Sequence, residues 1–357
     1  MVATLWLVVS CSTTKVDNSV HEIKNITDGD FRLHDLSYEV AIDEISDFVG
    51  TINIRDSIAY LGNRAGEELI SVYNLSSRRR IGSTISRGRG PLELLGVRWR
   101  VQMNDDKKFA FIFGSSEFMA FPLDVITRVA TGDTNKVFIP HTKFVYEENF
   151  RDATALDTNL FVGLPVDFSG VSKRLKFYDG QGNLTAEKGE YYKTKEMTFP
   201  DKMNSHAFDA RIISRDDGQR IVVANMVTDQ IEIYDGQGEI IRLIKGPDHF
   251  VPDVVDFSNG DMIQFGFGKK ARNAYFWPLA KKEEFWIMYE GVYMKQDKSA
   301  DIKSSTLMSF DWDGNPLDKY IIQADIMCFD VDESRGLIYA IIMTEDGEQK
   351  VIRAKYR

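Results

Sequence analysis

Cysteine and proline are scarce in this chain of 357 residues, and basic residues are in deficit. Its two cysteines exclude both a disulfide framework and a metal site built from several thiolates. The 9 prolines and 26 glycines are too few for a fibrous or disordered chain. The 44 Lys and Arg residues are outnumbered by 54 Asp and Glu residues, which leaves a formal charge of -10. General nucleic-acid binding is therefore not expected, because phosphate contacts need a dominant basic face.

Signals of catalysis are also sparse. The five histidines show none of the close spacings that build a zinc site. No G-x-S-x-G elbow is present, and scattered Ser, His and Asp residues do not define a triad. The sequence therefore favours a protein that is not an enzyme, although it leaves catalysis open. What is present is a globular composition, with 43% apolar and 27% charged residues, that is long enough for two domains or one large repeat architecture.

The apolar run at the N-terminus, residues 5–9, is short. A spanning helix needs about 20 apolar residues, so this run cannot cross a bilayer and is typical of the end of a signal peptide. It leads through Ser10 to Cys11 and then into polar sequence, an order that resembles the lipobox of bacterial lipoproteins. This resemblance implies acylation of the Cys11 thiol, which anchors a protein stably when two or three chains are attached. We predict a lipoprotein signal segment over residues 1–11 and a flexible tether over residues 12–30.

The residues on either side of the lipobox bear on the translation start and on the location of the protein. No Lys or Arg precedes the apolar run, and a translation start upstream would supply the basic segment of a signal peptide. Ser12 follows Cys11 where inner-membrane retention usually requires Asp, so by analogy the predicted location is the outer membrane, facing the periplasm. The alternative is a frayed N-terminal strand with a buried Cys11. The second cysteine, Cys328, lies in an apolar run and is predicted to be a small core residue.

One pentapeptide occurs twice in the chain. Residues 178–182, Tyr178-Asp179-Gly180-Gln181-Gly182, recur unchanged 56 residues later at residues 234–238, and residues 310–314 form a looser copy. Alternating strand patterns flank the copies, and Asp and Gly tolerate the positive φ of tight hairpin turns. Each copy therefore predicts a strand, a turn and a second strand.

These hairpins recur at intervals typical of propeller blades. Taking one aromatic residue in each unit as equivalent, the successive intervals are 48, 57, 56 and 76 residues. The five positions are Tyr73, Phe121, Tyr178, Tyr234 and Phe310. Residues 326–356 supply a sixth unit with room for only about three strands, so we predict that residues 36–45 complete that blade. The sequence thus predicts an all-β, six-bladed β-propeller closed by an N-terminal strand, and two tandem β-sandwiches are the alternative.

A further motif follows the first unit. Residues 88–93, Gly88-Arg89-Gly90-Pro91-Leu92-Glu93, resemble the G-x-G-P-x-E signature of TolB-like six-bladed propeller lipoproteins of Gram-negative bacteria. With the lipobox and the repeats, the resemblance covers nearly the whole mature chain. It implies a propeller over residues 31–357 and a location in the cell envelope. It implies little about activity, because members of this family are largely uncharacterised.

Basic residues recur where an outermost strand leads to the next innermost strand, a connection that crosses the usual ligand-binding face of propellers. A cation followed by glycine occupies this point in three units. We therefore hypothesise a basic rim that binds a carboxylate or an acidic sugar. Its candidate residues are Arg87, Arg89, Lys188 and Lys245. In the alternative, glycine provides the turn geometry and the cation is solvated or pairs with Glu93 or Asp248.

Two further hypotheses concern a metal and a glycan. Propeller lactonases hold calcium with acids from innermost strands, and the candidates here are Asp152, Asp209 and Asp330; alternatively, these acids cap strand ends or face solvent. The aromatic-rich residues 275–293 offer rings that either stack on sugars or, as their apolar pattern favours, pack between blades. The predicted function is thus binding of an envelope protein or glycan, without a cofactor. A calcium-dependent hydrolase or lyase and a purely structural scaffold are the alternatives.

Overall fold

The computed structural model describes most of the chain from residue 22 onward. The described ranges are residues 22–45, 48–90, 93–104, 109–114, 117–132, 142–145, 149–260, 262–294 and 304–357. Cys11, the predicted signal segment and residues 12–21 of the predicted tether lie outside these ranges. Within the described part of the chain, no helix is long and apolar enough to cross a membrane.

The described chain begins with three short strands that join three different sheets. They are β1 (Ile23–Asn25), β2 (Arg32–Leu36) and β3 (Tyr38–Ile42), with a 3-10 turn at Asp28–Asp30. The later strands form six antiparallel blades and one separate two-stranded hairpin. Within each of these sheets, strands that are consecutive in the chain are neighbours. Such a ring of four-stranded meanders, each with its first strand nearest the axis, is a β-propeller.

The strands of the first three blades follow in chain order. Blade one contains β4 (Val49–Arg55), β5 (Ile58–Asn63), β6 (Glu68–Asn74) and β7 (Arg79–Ser86). Blade two contains β8 (Val97–Asn104), β9 (Phe109–Gly114), β10 (Glu117–Pro122) and β11 (Thr142–Val145), with helix α1 (Leu123–Ala130) after β10. Blade three contains β12 (Phe150–Asp157), β13 (Leu160–Pro165), β14 (Leu175–Asp179) and β15 (Leu184–Lys188).

The second half of the ring carries two insertions. A 3-10 turn (Asp201–Met203) and helix α2 (Asn204–Ala207) precede blade four, which contains β16 (Ala210–Ser214), β17 (Arg220–Asn225), β18 (Gln230–Asp235) and β19 (Ile240–Lys245). The hairpin of β20 (Val254–Asp256) and β21 (Phe265–Phe267) precedes blade five, which contains β22 (Tyr275–Ala280), β23 (Glu284–Tyr289), β24 (Ser305–Asp311) and β25 (Pro316–Ile322). Blade six contains β26 (Ile326–Asp332), β27 (Leu337–Met343) and β28 (Gln349–Lys355).

The ring closes as the sequence predicts. β3 pairs antiparallel with β28 and supplies the fourth strand of blade six, within the predicted residues 36–45. The prediction of an all-β, six-bladed propeller closed by an N-terminal strand is therefore confirmed. The alternative of two β-sandwiches is wrong, because the six blades succeed one another around one axis and each packs against the next.

The repeated pentapeptide forms the predicted hairpin turn in each of its copies. The Asp carboxylate of each turn accepts hydrogen bonds of 2.8–3.0 Å from the backbone N–H groups two and four residues later. The three carboxylates are those of Asp179, Asp235 and Asp311. Three residues after each Asp, a glycine adopts a positive φ, between 79° and 85°. Asp and Gly recur because the turn needs a short side-chain acceptor and a left-handed position.

The first residues of the described chain are part of the fold, and the predicted tether over residues 12–30 is wrong from residue 22 onward. β1 pairs parallel with β19 as a fifth strand of blade four, and β2 pairs in the same way with β25 of blade five. Ile26 is fully buried, and the Phe31 ring lies edge-on to Phe310 with centroids 5.4 Å apart. A three-residue strand has too little alternation to be recognised from sequence.

The core lies between neighbouring blades. One cluster joins blades four and five, another joins blades five and six, and another joins blades six and one. Cys328 is buried in the last of these, as predicted for a core residue, and burial raises the pKa of its thiol to about 12. Most of the rings between residues 275 and 293 also pack between blades, because Tyr275, Phe285 and Trp286 are fully buried.

Candidate functional site

The innermost strands are irregular at the end where they begin, which we call the front face. Five of the six, β4, β8, β12, β22 and β26, show a shift of register near this end, and β16 does not. In three of them the unpaired residue is the second of the strand, namely Gly50, Arg151 and Met327. β-Bulges redirect side chains and are frequent beside functional sites. The mouth of the central channel is therefore where a site is expected.

Two guanidinium groups meet one carboxylate at the junction of blades three and four. Arg151 Nη1 lies 3.7 Å from Asp209 Oδ2, and Arg211 Nη1 lies 4.0 Å from Asp209 Oδ1. These side chains are 25%, 34% and 21% exposed for Arg151, Arg211 and Asp209, so solvent reaches all three. The distances are long for ion pairs, and a single carboxylate balances only half of the positive charge.

A third guanidinium group extends over the bulge of blade one. Gly50 leaves space for Arg64, since a Cβ atom at this position would lie 2.3 Å from Arg64 Nε. The positive charge of Arg64 also reaches blade six, where it opposes the effect of burial on the pKa of Cys328. Among the residues that the structure describes, no carboxylate forms an ion pair with Arg64. Blades one, three and four thus each bring an arginine to the front face.

Blades five and six present apolar side chains at the same level. The second residue of β22 is Phe276 and that of β26 is Met327, and both side chains are half-buried. Trp277, which follows Phe276, has a φ of +49° and packs against both the cluster between blades five and six and the cluster between blades six and one. Trp277 thus lies half-buried near the start of the innermost strand of blade five, beside the two clusters that blade six shares with its neighbours.

Acidic residues flank this apolar half on its outer side. Glu290 follows β23 and Asp325 precedes β26, so both lie at the front face. Burial raises the pKa of each carboxyl, and the negative charge of Asp325 raises that of Glu290 further. Asn273 Nδ2 donates a 2.7 Å hydrogen bond to Glu290. Glu290 and Asp325 thus place two carboxyl groups at the front face beside blades five and six, where Arg272 pairs with Asp248.

The predicted basic rim does not form one cluster. Arg87 donates hydrogen bonds of 2.8–3.2 Å to the carbonyl oxygens of Arg64, Gly66 and Leu95, so it supports the loop that carries Arg64. Lys188 pairs at 2.8 Å with Glu239 on the outer hairpin of blade four. Arg89 is exposed beside the turn that Glu93 closes by accepting from Gly90 N, and Lys245 is half-buried beside β1.

The three predicted calcium ligands contact protein groups in separate places. Asp152 Oδ2 accepts a 3.0 Å hydrogen bond from Ile212 N on the next blade, and Asp330 Oδ2 accepts one of 2.5 Å from Ile54 N. Asp209 lies between the two arginines of the front face. In the ranges that the structure describes, no three His, Cys, Asp or Glu side chains come together as metal ligands. The calcium alternative remains a prediction.

Comparison with known proteins agrees with this geometry. Residues 50–334 match the family described as TolB-like 6-blade propeller-like. The chain belongs to the TolB-like propeller family. No curated protein matches this TolB-like chain by sequence.

Two solved structures from Bacteroides resemble the TolB-like chain. One is a member of the DUF4221 family from Bacteroides vulgatus, with 10% identity, a TM-score of 0.52 and coverage of 90% of this chain and 97% of that one. The other, from Bacteroides fragilis, is described by its name as exported; it has 8% identity, a TM-score of 0.53 and coverage of 92% and 99%. At such identities, the likeness concerns the fold alone.

The arginines of the front face were missed from sequence although a signal for them exists. Arg151 and Arg211 each occupy the second position of an innermost strand, in blades three and four. The recurrence is visible only once the first residue of each strand is known. Strand limits inferred from periodicity are uncertain by about two to four residues, which hides a pattern that depends on one position.

Proposed function

We propose that this TolB-like propeller is a lipid-anchored envelope protein that binds an anionic group of its ligand or partner at the mouth of the central channel. The observation that carries the proposal is the sharing of Asp209 by Arg151 and Arg211, with Arg64 on the same face over Gly50. A protein with a formal charge of -10 gains little from clustering guanidinium groups unless an anion binds them.

The charge balance of the site favours a carboxylate or a similar planar anion. Arg151 and Arg211 share the single carboxylate of Asp209, and the carboxylate of Asp152 is buried and accepts from Ile212 N. A ligand carboxylate that displaced Asp209 from one guanidinium would gain charge-assisted hydrogen bonds in a partly desolvated position. This keeps the predicted ligand class, a carboxylate or acidic sugar, and moves its binding residues from the outer rim to the innermost strands.

The binding proposal is tested by calorimetric titration of the full chain with galacturonate at low ionic strength. The double variant Arg151→Gln/Arg211→Gln is expected to lose at least roughly tenfold in affinity, because hydrogen bonds between charged groups are lost. The matched control is Arg89→Gln, which removes an exposed cation of the predicted rim and is expected to bind as the unaltered chain does. Equal affinities of the double variant and the control would refute the proposal.

The anchor proposal rests on the lipobox ending at Cys11 and is consistent with a structural relative that is described as exported. Incorporation of radiolabelled palmitate into the expressed chain, and its loss in Cys11→Ala, is the expected result. Equal labelling of the two chains would contradict acylation at Cys11. Fractionation of the labelled cells then tests the predicted outer-membrane location.

A further inference from the structure

The mouth of the channel has two chemically different halves. At the second position of successive innermost strands, blades three and four carry Arg151 and Arg211, whereas blades five and six carry Phe276 and Met327. In blade one this position is Gly50, and Arg64 occupies the space that its missing side chain leaves. Cationic and apolar residues are therefore separated around the ring and are not interspersed.

The apolar half is exposed enough to contact a ligand. Phe276, Trp277 and Met327 are half-buried, while the rings beneath them, such as Trp286 and Phe285, are fully buried. Gln349 holds the Met327 thioether through a 3.2 Å contact from Nε2 and bonds both backbone polar groups of Val49. The backbone polar groups of Val49 beside the bulge are thereby satisfied and do not compete for a ligand.

The charges of the two halves fix the orientation of a bound ion. Glu290 and Asp325 lie beyond the apolar half, and an anionic group placed there would meet like charge. The same group placed at blades three and four would meet Arg151 and Arg211 across Asp209. An anion with an apolar body is therefore expected to place its charge toward blades three and four, where two guanidinium groups share one carboxylate.

We infer that the ligand is an amphipathic anion, whose carboxylate or similar head contacts Arg151 and Arg211 and whose apolar body lies on Trp277 and Met327. This inference rests on the proposed anion site and narrows its ligand class. A small, fully hydrated anion would satisfy the arginines and leave the apolar wall uncovered. Fatty-acid-like carboxylates use both halves.

The test is a series of linear carboxylates, from acetate to octanoate, titrated into the full chain by calorimetry. Affinity is expected to rise roughly fourfold for each methylene until the apolar wall is covered. Octyl glucoside, a neutral amphiphile, is expected to bind much more weakly than octanoate. Equal affinity for acetate and octanoate would overturn the inference and leave the anion site intact; absence of binding by every carboxylate would overturn both.

Two variants separate the halves. Arg211→Gln is expected to weaken all carboxylates by one common factor, whereas Met327→Gln is expected to reduce the gain in affinity from acetate to octanoate. Met327→Gln changes a half-buried side chain of similar length, and a thermal melt of both variants checks folding. If Met327→Gln leaves the chain-length dependence intact, the apolar body does not lie on this wall and the inference fails.

The same head and body could be presented free in solution or by a lipid surface. Sedimentation of Cys11→Ala with phosphatidylglycerol vesicles, with and without octanoate, separates these sources. If the protein sediments with the vesicles and octanoate abolishes this, the amphipathic anion is a lipid. If the protein binds octanoate in calorimetry but does not sediment with the vesicles, the amphipathic anion is a free molecule. Sedimentation that octanoate does not affect, in a chain that fails to bind octanoate, would contradict the inference.

Discussion

Two junctions of the ring use the same carboxylate in different surroundings. Where blade three meets blade four, Asp152 accepts a hydrogen bond from the next innermost strand; where blade six meets blade one, Asp330 does so. Beside Asp330 the cations are enclosed, with Lys281 Nζ 2.8 Å away and only 6% exposed, and Arg55 Nη1 at 3.5 Å. At the junction of blades three and four, the cations Arg151 and Arg211 lie beside a second carboxylate, that of Asp209, and solvent reaches both.

The difference separates structural charges from available ones. A buried cation that has lost its partner is costly, so Lys281 has to keep Asp330. A half-exposed guanidinium that is 3.7–4.0 Å from its carboxylate gives up little when it exchanges that partner for a ligand. The junction of blades three and four can therefore bind an anion without weakening the ring, whereas the junction of blades six and one cannot.

The largest effect is expected from Asp330→Ala. The substitution leaves Lys281 buried without its carboxylate and Ile54 N without its acceptor, so the free energy of unfolding should fall by about 3–5 kcal/mol. Urea denaturation measures this change. The matched control is Asp209→Ala at the other junction, and equal losses in the two variants would erase the distinction drawn between the junctions.

A second effect concerns a junction carboxylate held by neutral donors. Asp229 is buried between blades four and five and accepts hydrogen bonds from Asp248 N at 2.7 Å, from His249 N at 2.6 Å and from the Tyr275 hydroxyl at 2.8 Å. Burial raises the pKa of Asp229 from 3.8 to about 6 despite these donors. It therefore binds its proton more tightly in the folded state than in the unfolded state.

The stability contributed by this proton is full below about pH 4 and is lost as pH rises through about 6. A shift of this size corresponds to about 3 kcal/mol. Asp229→Asn is expected to flatten the decline in the free energy of unfolding between pH 4 and 6, measured by urea denaturation at each pH. An unchanged decline in the variant would show that other groups cause it.

The smallest effect is expected from the proposed ligand-binding residues. Arg151→Gln and Arg211→Gln should each change the free energy of unfolding by less than about 1 kcal/mol, because their ion pairs are long and partly exposed. Urea denaturation of both variants beside Asp330→Ala completes the comparison. A loss as large as that of Asp330→Ala would make these arginines structural and remove the basis of the proposed site.

The fold was predictable because its hairpin turns depend on contacts between residues close in the chain. The site was less predictable because its contacts join residues of different blades. The hairpin turns were predictable because Asp179 bonds residues only two and four positions later. The pairing of Lys188 was not predictable, because its partner Glu239 lies 51 residues away on the next blade. Asp152 and Asp330 were correctly placed on innermost strands, but their acceptor role depends on the register of one blade against the next.

The three N-terminal strands have a consequence for how the ring bears a load. A force applied to the chain before Glu22 acts first on the Glu22 and Arg242 ion pair and on the short β1, then on β2, and only afterwards on β3. β1 and β2 are additions to blades that are already complete, whereas β3 completes blade six. Two strands can therefore detach in turn, absorbing extension, before the closure of the propeller is strained.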